Sequence, residues 1–220
     1  MKNTFTERSS DTVYITSAPF SDKVLKSSQF AILDEVWRYG FDDELGTIPP
    51  DVVTDRAIQH SRKSEYDRLV IHYMQPHFPS LANPELGEGI SPYDDRKWET
   101  VWKRHYHGEL SYDVLWDAYR SNLEIVLNQV EVLINNIEAD RVAATSDHGN
   151  ALGQAGRYGH PKDALIPGVR RVPWAVIGST SDTRTYSPNE SSCKKSQISP
   201  EKYCRDNTET EQKLAALGYY

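Results

Sequence analysis

The apolar positions along the chain fall into a short series of recognisable runs. Thr12-Val13-Tyr14-Ile15-Thr16 is β-branched and aromatic, and Ala18-Pro19 stops it, so the pattern predicts a strand close to the start. A mixed stretch from Ala31 to Gly46 predicts loops with short elements before Pro49-Pro50. Asp51 or Thr54 can cap a helix running to about Lys63. Leu69 to Met74 is then nearly continuous in apolar character, the pattern of a buried strand, and ends in Pro76-His77-Phe78-Pro79. Pro, Gly, Asn and acidic residues from Ser80 to Asp95 predict a long surface loop.

The clearest periodicity follows. Leu110, Val114, Leu115, Ala118, Leu123, Val126, Leu127, Val130, Leu133, Ile134 and Ile137 recur at steps of three and four, with Ser111 as a cap. This predicts a long amphipathic helix with a core-facing stripe. Asp140 to Ser146 and Val172 to Ile177 predict two more strands, the second near an edge because Pro173 lacks an amide hydrogen. Alternating strands and helices predict an α/β fold, a mostly parallel sheet flanked by helices. The organisation expected is a domain over 1–178, a polar linker over 179–207, and a helix within 208–220 docking through Leu214 to Leu217.

Composition narrows the functional classes. A chain of 220 residues buries roughly two thirds of its unfolded surface, so it needs no metal or disulfide merely to fold. The formal charge is -7 and the basic residues are scattered, which argues against nucleic acid as a partner. No window of about 18 uninterrupted apolar residues occurs, and Met1 to Asp11 has no apolar core of the kind a secretion signal needs. These features predict no membrane span and a cytoplasmic chain. Cys193 and Cys204 lie in the polar C-terminal stretch without a CxxC spacing. No P-loop or GxGxxG is present, which leaves ATP and dinucleotides without support.

The chemistry concentrates in Thr145-Ser146-Asp147-His148-Gly149-Asn150-Ala151-Leu152-Gly153-Gln154-Ala155-Gly156-Arg157-Tyr158-Gly159-His160-Pro161. Asp147 and His148, just past a strand's carboxyl end, offer a hard oxygen and an imidazole nitrogen to one divalent cation. Gly149 leaves room for the backbone to turn. Gly153, Gly156 and Gly159 keep the following loop compact enough to bring His160 back over the cation, as a further ligand or as a donor to a bound anion. An isolated Asp-His-Gly also occurs in ordinary Asp-capped turns. The glycine spacing and the histidine make the segment more specific.

Thr145 to His160 resembles the signature of the sulfatase and alkaline phosphatase superfamily, and two other stretches agree with it. Ile71-His72-Tyr73-Met74-Gln75-Pro76-His77-Phe78-Pro79 is similar to the strand and Pro-His-x-Pro turn that sulfatases place beside the substrate. Glu211 to Tyr219 resembles an LxxLGY ending common in that superfamily. The pattern is nearest to short sulfatase-like proteins of archaea. The resemblance implies an alkaline phosphatase-like fold and a metal-dependent hydrolase or transferase acting on phosphate or sulfate esters. It implies that Asp147 and His148 bind a divalent cation, which Mn, Zn, Mg or Ca can supply. His77 would contact the transferred group or protonate the leaving group, and His160, where many sulfatases have a lysine, would neutralise the anion. His72 is an anion-binding candidate with two readings, toward the site or into the core.

The sequence departs from the family near its start. The resemblance calls for a first strand ending in a metal-binding Asp, and for a nucleophilic Ser, Thr or Cys. Nothing before Asp11 matches that strand, and neither cysteine has the Cys-x-Pro-x-Arg setting. The nucleophile is therefore unassigned, and the fold is expected to be incomplete at the N-terminus and the chain inactive alone. The alternative is a non-catalytic anion-binding or assembly protein derived from the same fold, pairing with a separately encoded N-terminal segment or with a second copy of itself. Elsewhere, His105-Tyr106-His107 reads as part of a solvated helix with Trp98 and Trp102. Asp42-Asp43-Glu44 and Asp94-Asp95 read as solvated acidic loops.

Overall fold

A computed structural model describes residues 9–87, 101–161 and 165–189. The elements run β1 (Thr12–Thr16), α1 (Ser21–Val24), β2 (Ile32–Glu35), α2 (Pro50–Lys63), β3 (Arg68–His72), α3 (Val101–Tyr106) and α4 (Tyr112–Ile134). They continue with β4 (Val142–Thr145), β5 (Ala151–Leu152), β6 (Tyr158–Gly159), α5 (Pro167–Arg170) and β7 (Trp174–Ile177). The expected C-terminal helix, the Glu211 to Tyr219 match, both cysteines, Trp98 and Asp94-Asp95 lie outside the described residues.

β1 is the middle strand of a parallel sheet of order β2-β1-β3, with Val13 beside Ile32 and Leu69, and Thr16 beside Glu35 and His72. All five of its residues are buried. Alternation sends Val13 and Ile15 into a core with Val53, Ala57 and Ile58 of α2 and Leu133 of α4, and sends Tyr14 to the other face against Leu25 and Phe30. Both faces of this strand are therefore covered, as parallel sheets require.

A second core gathers Phe78, Leu86, Val101, Leu110, Leu115, Ala118 and Leu152. α4 joins the two cores. Its C-terminal end packs on the sheet, and its N-terminal half packs beneath the Pro76-His77-Phe78-Pro79 turn. Ser111 caps it as expected, its hydroxyl accepting from Val114 N at 3.3 Å. The stripe is only partly core-facing. Leu115, Ala118, Val126 and Leu133 are buried, whereas Val114, Leu123 and Leu127 lie on the exposed side with Tyr112 and Trp116. The apolar positions of α4 exceed the width of one buried face.

The sheet is smaller than expected. The parallel part has three strands, and β4 and β7 pair antiparallel with one another, Thr145 opposite Trp174 and Val142 opposite Ile177. Parallel neighbours need a long crossover, usually helical. Between β4 and β7 the described chain supplies only the β5–β6 hairpin and the four-residue α5, so it returns in the reverse direction. Residues 179–189, the start of the expected linker, run along α2 and the end of α4. Asp182 pairs with Arg62 at 2.8 Å, Thr183 N donates to Asn135 O, and the Tyr186 hydroxyl donates to Asp55 at 2.8 Å. Among the described residues no helix is long and apolar enough to cross a membrane.

Candidate functional site

The ends of the strands and the loops after them bring four of the five sequence-predicted residues into direct contact. His77 and His160, 83 positions apart, face each other with Nε2 atoms 3.2 Å apart, and both are buried. The ring of His148 lies 4.1 Å from that of His160, tilted by 33°. Asp147 Oδ2 stands 3.7 Å from His148 Nε2 and is exposed, whereas His148 is partly covered.

Each part of this arrangement has a local cause. Gly149 sits where the backbone of α5 crosses: a Cβ there would meet Gly168 O at 2.1 Å, and Gly149 N donates to Val169 O at 2.9 Å. Close approach, rather than an unusual dihedral, is what excludes a side chain. Gly153, Gly156 and Gly159 all take positive φ and shape the β5–β6 hairpin, which folds His160 back over His148. The indole of Trp102 lies against Gly159.

The hydrogen bonds fix which ring atoms are available. His148 Nδ1–H donates to Gly149 O at 3.0 Å, turning Nε2 toward Asp147. His77 Nδ1–H donates to Phe78 O at 3.0 Å, so neutral His77 presents a lone pair at Nε2 and the proton shared by the two rings comes from His160. Backbone carbonyls that orient imidazoles in this way are characteristic partners of metal-binding histidines.

His72 lies beneath the group. Its Nδ1 pairs with the Tyr14 hydroxyl at 3.3 Å, and Phe20 stands edge-on to its ring. Burial pushes its pKa down, the Asp147 charge opposes this, and a charge on His148 adds to it. The same carboxylate acts on Tyr14, whose hydroxyl is raised to about 12 by burial first and by Asp147 second. His72 is thus a half-buried strand residue within electrostatic reach of Asp147.

The donor chemistry fits a divalent cation in part. A carboxylate and an oriented imidazole stand 3.7 Å apart, donor types that would suit a divalent ion. Two residues past His148, Asn150 Oδ1 is buried without a hydrogen-bond partner, while its Nδ2 donates to the Tyr119 hydroxyl at 3.2 Å. Among the described residues no group of three or more His, Cys, Asp or Glu is assembled that could hold a metal. Asp147 and His148 are thus two neighbouring donors, fewer than a closed metal site needs.

Sequence reading missed Asn122, which is wholly buried on α4 and bonds the backbone around His77. A polar residue in a helix ordinarily reads as solvent-facing. The available signal was its spacing, four residues from Ala118 and four from Val126 on the buried face.

No family model matches the sequence, and no curated protein matches it. Among solved structures the chain is similar to the soluble domain of lipooligosaccharide phosphoethanolamine transferase A from Neisseria meningitidis, at a TM-score of 0.56 and 16% identity. The alignment covers 79% of this chain and 52% of that one, so the chain spans about half the length of this neighbour. At this identity the likeness is one of fold: a mixed α/β arrangement with a small parallel sheet and flanking helices.

Proposed function

We propose that this chain carries the metal and anion centre of a phosphate- or sulfate-ester hydrolase or transferase of the sulfatase and alkaline phosphatase type. The observation that carries the reading is the convergence of two segments distant in sequence, the loop from Asp147 to His160 and the turn that holds His77, at the loop ends of an α/β fold. The solved neighbour's name, that of a phosphoethanolamine transferase, makes phosphate the first ester class to test.

In this reading Asp147 and His148 hold a divalent cation, with Mn, Zn, Mg and Ca as the ions to compare. Such an ion, when bound, polarises the ester and stabilises charge on oxygen. The remaining work falls to the chain's own groups. His160 neutralises a bound anion in its doubly protonated form, its Nε2–H remaining with His77 Nε2. His77, held through Nδ1, contacts the transferred group or, once its Nε2 has taken the proton shared with His160, passes that proton to the leaving oxygen. His72, within electrostatic reach of Asp147, is the remaining anion-binding candidate. The attacking nucleophile is unassigned, so anion binding is expected to exceed turnover.

The test is calorimetric titration of inorganic phosphate and inorganic sulfate into the Mn-supplemented chain, alongside p-nitrophenyl phosphate and sulfate turnover. The expected result is anion binding that His160→Ala weakens, with little turnover. Absence of anion binding in the presence of Mn contradicts the proposal, and fast turnover contradicts the unassigned nucleophile.

One observation favours a second reading, a non-catalytic assembly protein. β7 is apolar yet exposed, Trp174 at 70% and Val176 at 57%. Surface of this kind marks interaction sites, either for a second copy or for a separately encoded segment.

A further inference from the structure

We propose that Asn122 is a positioning residue that sets the place of His77, an inference resting on the reading of the site as an anion centre. Ala118, Asn122 and Val126 follow one another at four-residue steps on the buried side of α4, and Asn122 is 0% exposed in that row. A buried amide is costly unless its groups are paired. Here they are paired with one short stretch of backbone. Nδ2 donates to His77 O at 3.1 Å and to Pro79 O at 2.9 Å, and Oδ1 accepts from Leu81 N at 2.8 Å.

These bonds reach across 41 to 45 residues of sequence to a segment that lies outside any helix or strand. Three contacts to alternate residues of the turn hold its backbone against the rigid helix. The imidazole of His77 is held in turn by Phe78 O, the residue between the two clamped carbonyls. The position of His77 Nε2 opposite His160 is therefore set from α4, through the amide, rather than by the strand that precedes it. This side chain touches no substrate and acts through His77.

A chemically matched reference exists in the same protein. Asn136, 2% exposed just past the end of α4, donates from Nδ2 to Val132 O at 2.9 Å and accepts from Tyr186 N at 2.9 Å. It ties the end of α4 to the segment around Tyr186, away from the His77 turn.

The experiment compares Asn122→Ala, Asn122→Ser and Asn136→Ala in the full chain. The measurements are inorganic phosphate affinity in the presence of Mn and the ring-proton NMR signals of His77 and His160. The expectation is a loss of phosphate affinity of about 10- to 100-fold in a folded Asn122 variant, the range of supporting-shell losses at metal sites. Displaced His77 signals should accompany it, with neither change in Asn136→Ala. Unchanged affinity and unchanged His77 signals in a folded Asn122 variant overturn the proposal. If both Asn122 variants fail to fold while Asn136→Ala folds, the clamp is a requirement of the fold and the proposal is likewise overturned. If the wild type binds no phosphate, the reading of the site fails by itself. The His77 signals in the variants then decide the role of Asn122: displaced signals support it and unmoved signals reject it.

Discussion

Substituting Gly149 by alanine tests how tightly the Asp-His-Gly turn is packed against the helix behind it. The new methyl would lie 2.1 Å from Gly168 O and 3.2 Å from Gly168 C, both backbone atoms that no rotamer change can withdraw. Relief requires a movement of roughly 1 Å between the turn and α5, given ordinary carbon–oxygen contacts beyond about 3 Å. That movement lengthens the 2.9 Å bond from Gly149 N to Val169 O. Forced overpacking of this type costs about 1–3 kcal/mol. In a chain of this size each kcal/mol lowers Tm by roughly 2–4 °C. Gly178→Ala is the reference, because a Cβ there meets nothing within 4 Å. It should stay within about 0.5 kcal/mol of the parent. Urea denaturation and thermal melting of the three proteins measure the difference. Equal stability of Gly149→Ala and Gly178→Ala would refute the close-packing argument for this turn.

Other expectations follow from the same physical reasoning. Asp34 is buried and bonded to Arg56 at 2.7 Å, His60 at 2.8 Å and the Tyr39 hydroxyl at 2.7 Å, so Asp34→Ala should cost about 3–5 kcal/mol in urea denaturation by leaving Arg56 without its anion. Burial by itself would raise the Asp34 carboxyl, but the bonds from His60 and Tyr39 and the charge and hydrogen bond of Arg56 hold it below the ordinary carboxylate range. Its stabilisation is therefore complete above about pH 4 and lost as pH falls through the lower folded value. Acid titration of stability should show this loss in the parent and a flatter profile in Asp34→Asn. Leu115 is wholly buried in the core beneath the site, and Leu115→Ala should cost about 2–5 kcal/mol by denaturation. If the exposed β7 strand is an assembly surface, Trp174→Ser should lower the sedimentation coefficient of the purified chain without lowering Tm; an unchanged coefficient removes support from that reading.

Much of the site was legible in the sequence because its chemistry is local. Asp147, His148 and His160 sit within fourteen residues whose glycine spacing already describes a loop that doubles back, and the structure supplies the β5–β6 hairpin that does so. The strand character of Thr12–Thr16 was legible for the same reason, since a fully buried strand needs apolar or β-branched residues on both faces. What was not legible depends on long-range partners. Periodicity identifies β4 and β7 as strands but carries no information on direction, which the short α5 and the hairpin between them decide. The breadth of apolar positions on α4 likewise could not separate its buried side from the exposed Tyr112, Trp116 and Leu127. The orientation of His72 depended on Tyr14 and Phe20, neighbours distant in sequence.

The claim on which the functional account rests is that Asp147 and His148 hold a divalent cation. Calorimetric titration of Mn into the wild-type chain, and into Asp147→Ala, addresses it directly. The account predicts saturable binding by the wild type and its loss in the variant, with both proteins equally folded by circular dichroism. Absence of binding to the wild type, or equal binding to both proteins, would contradict it.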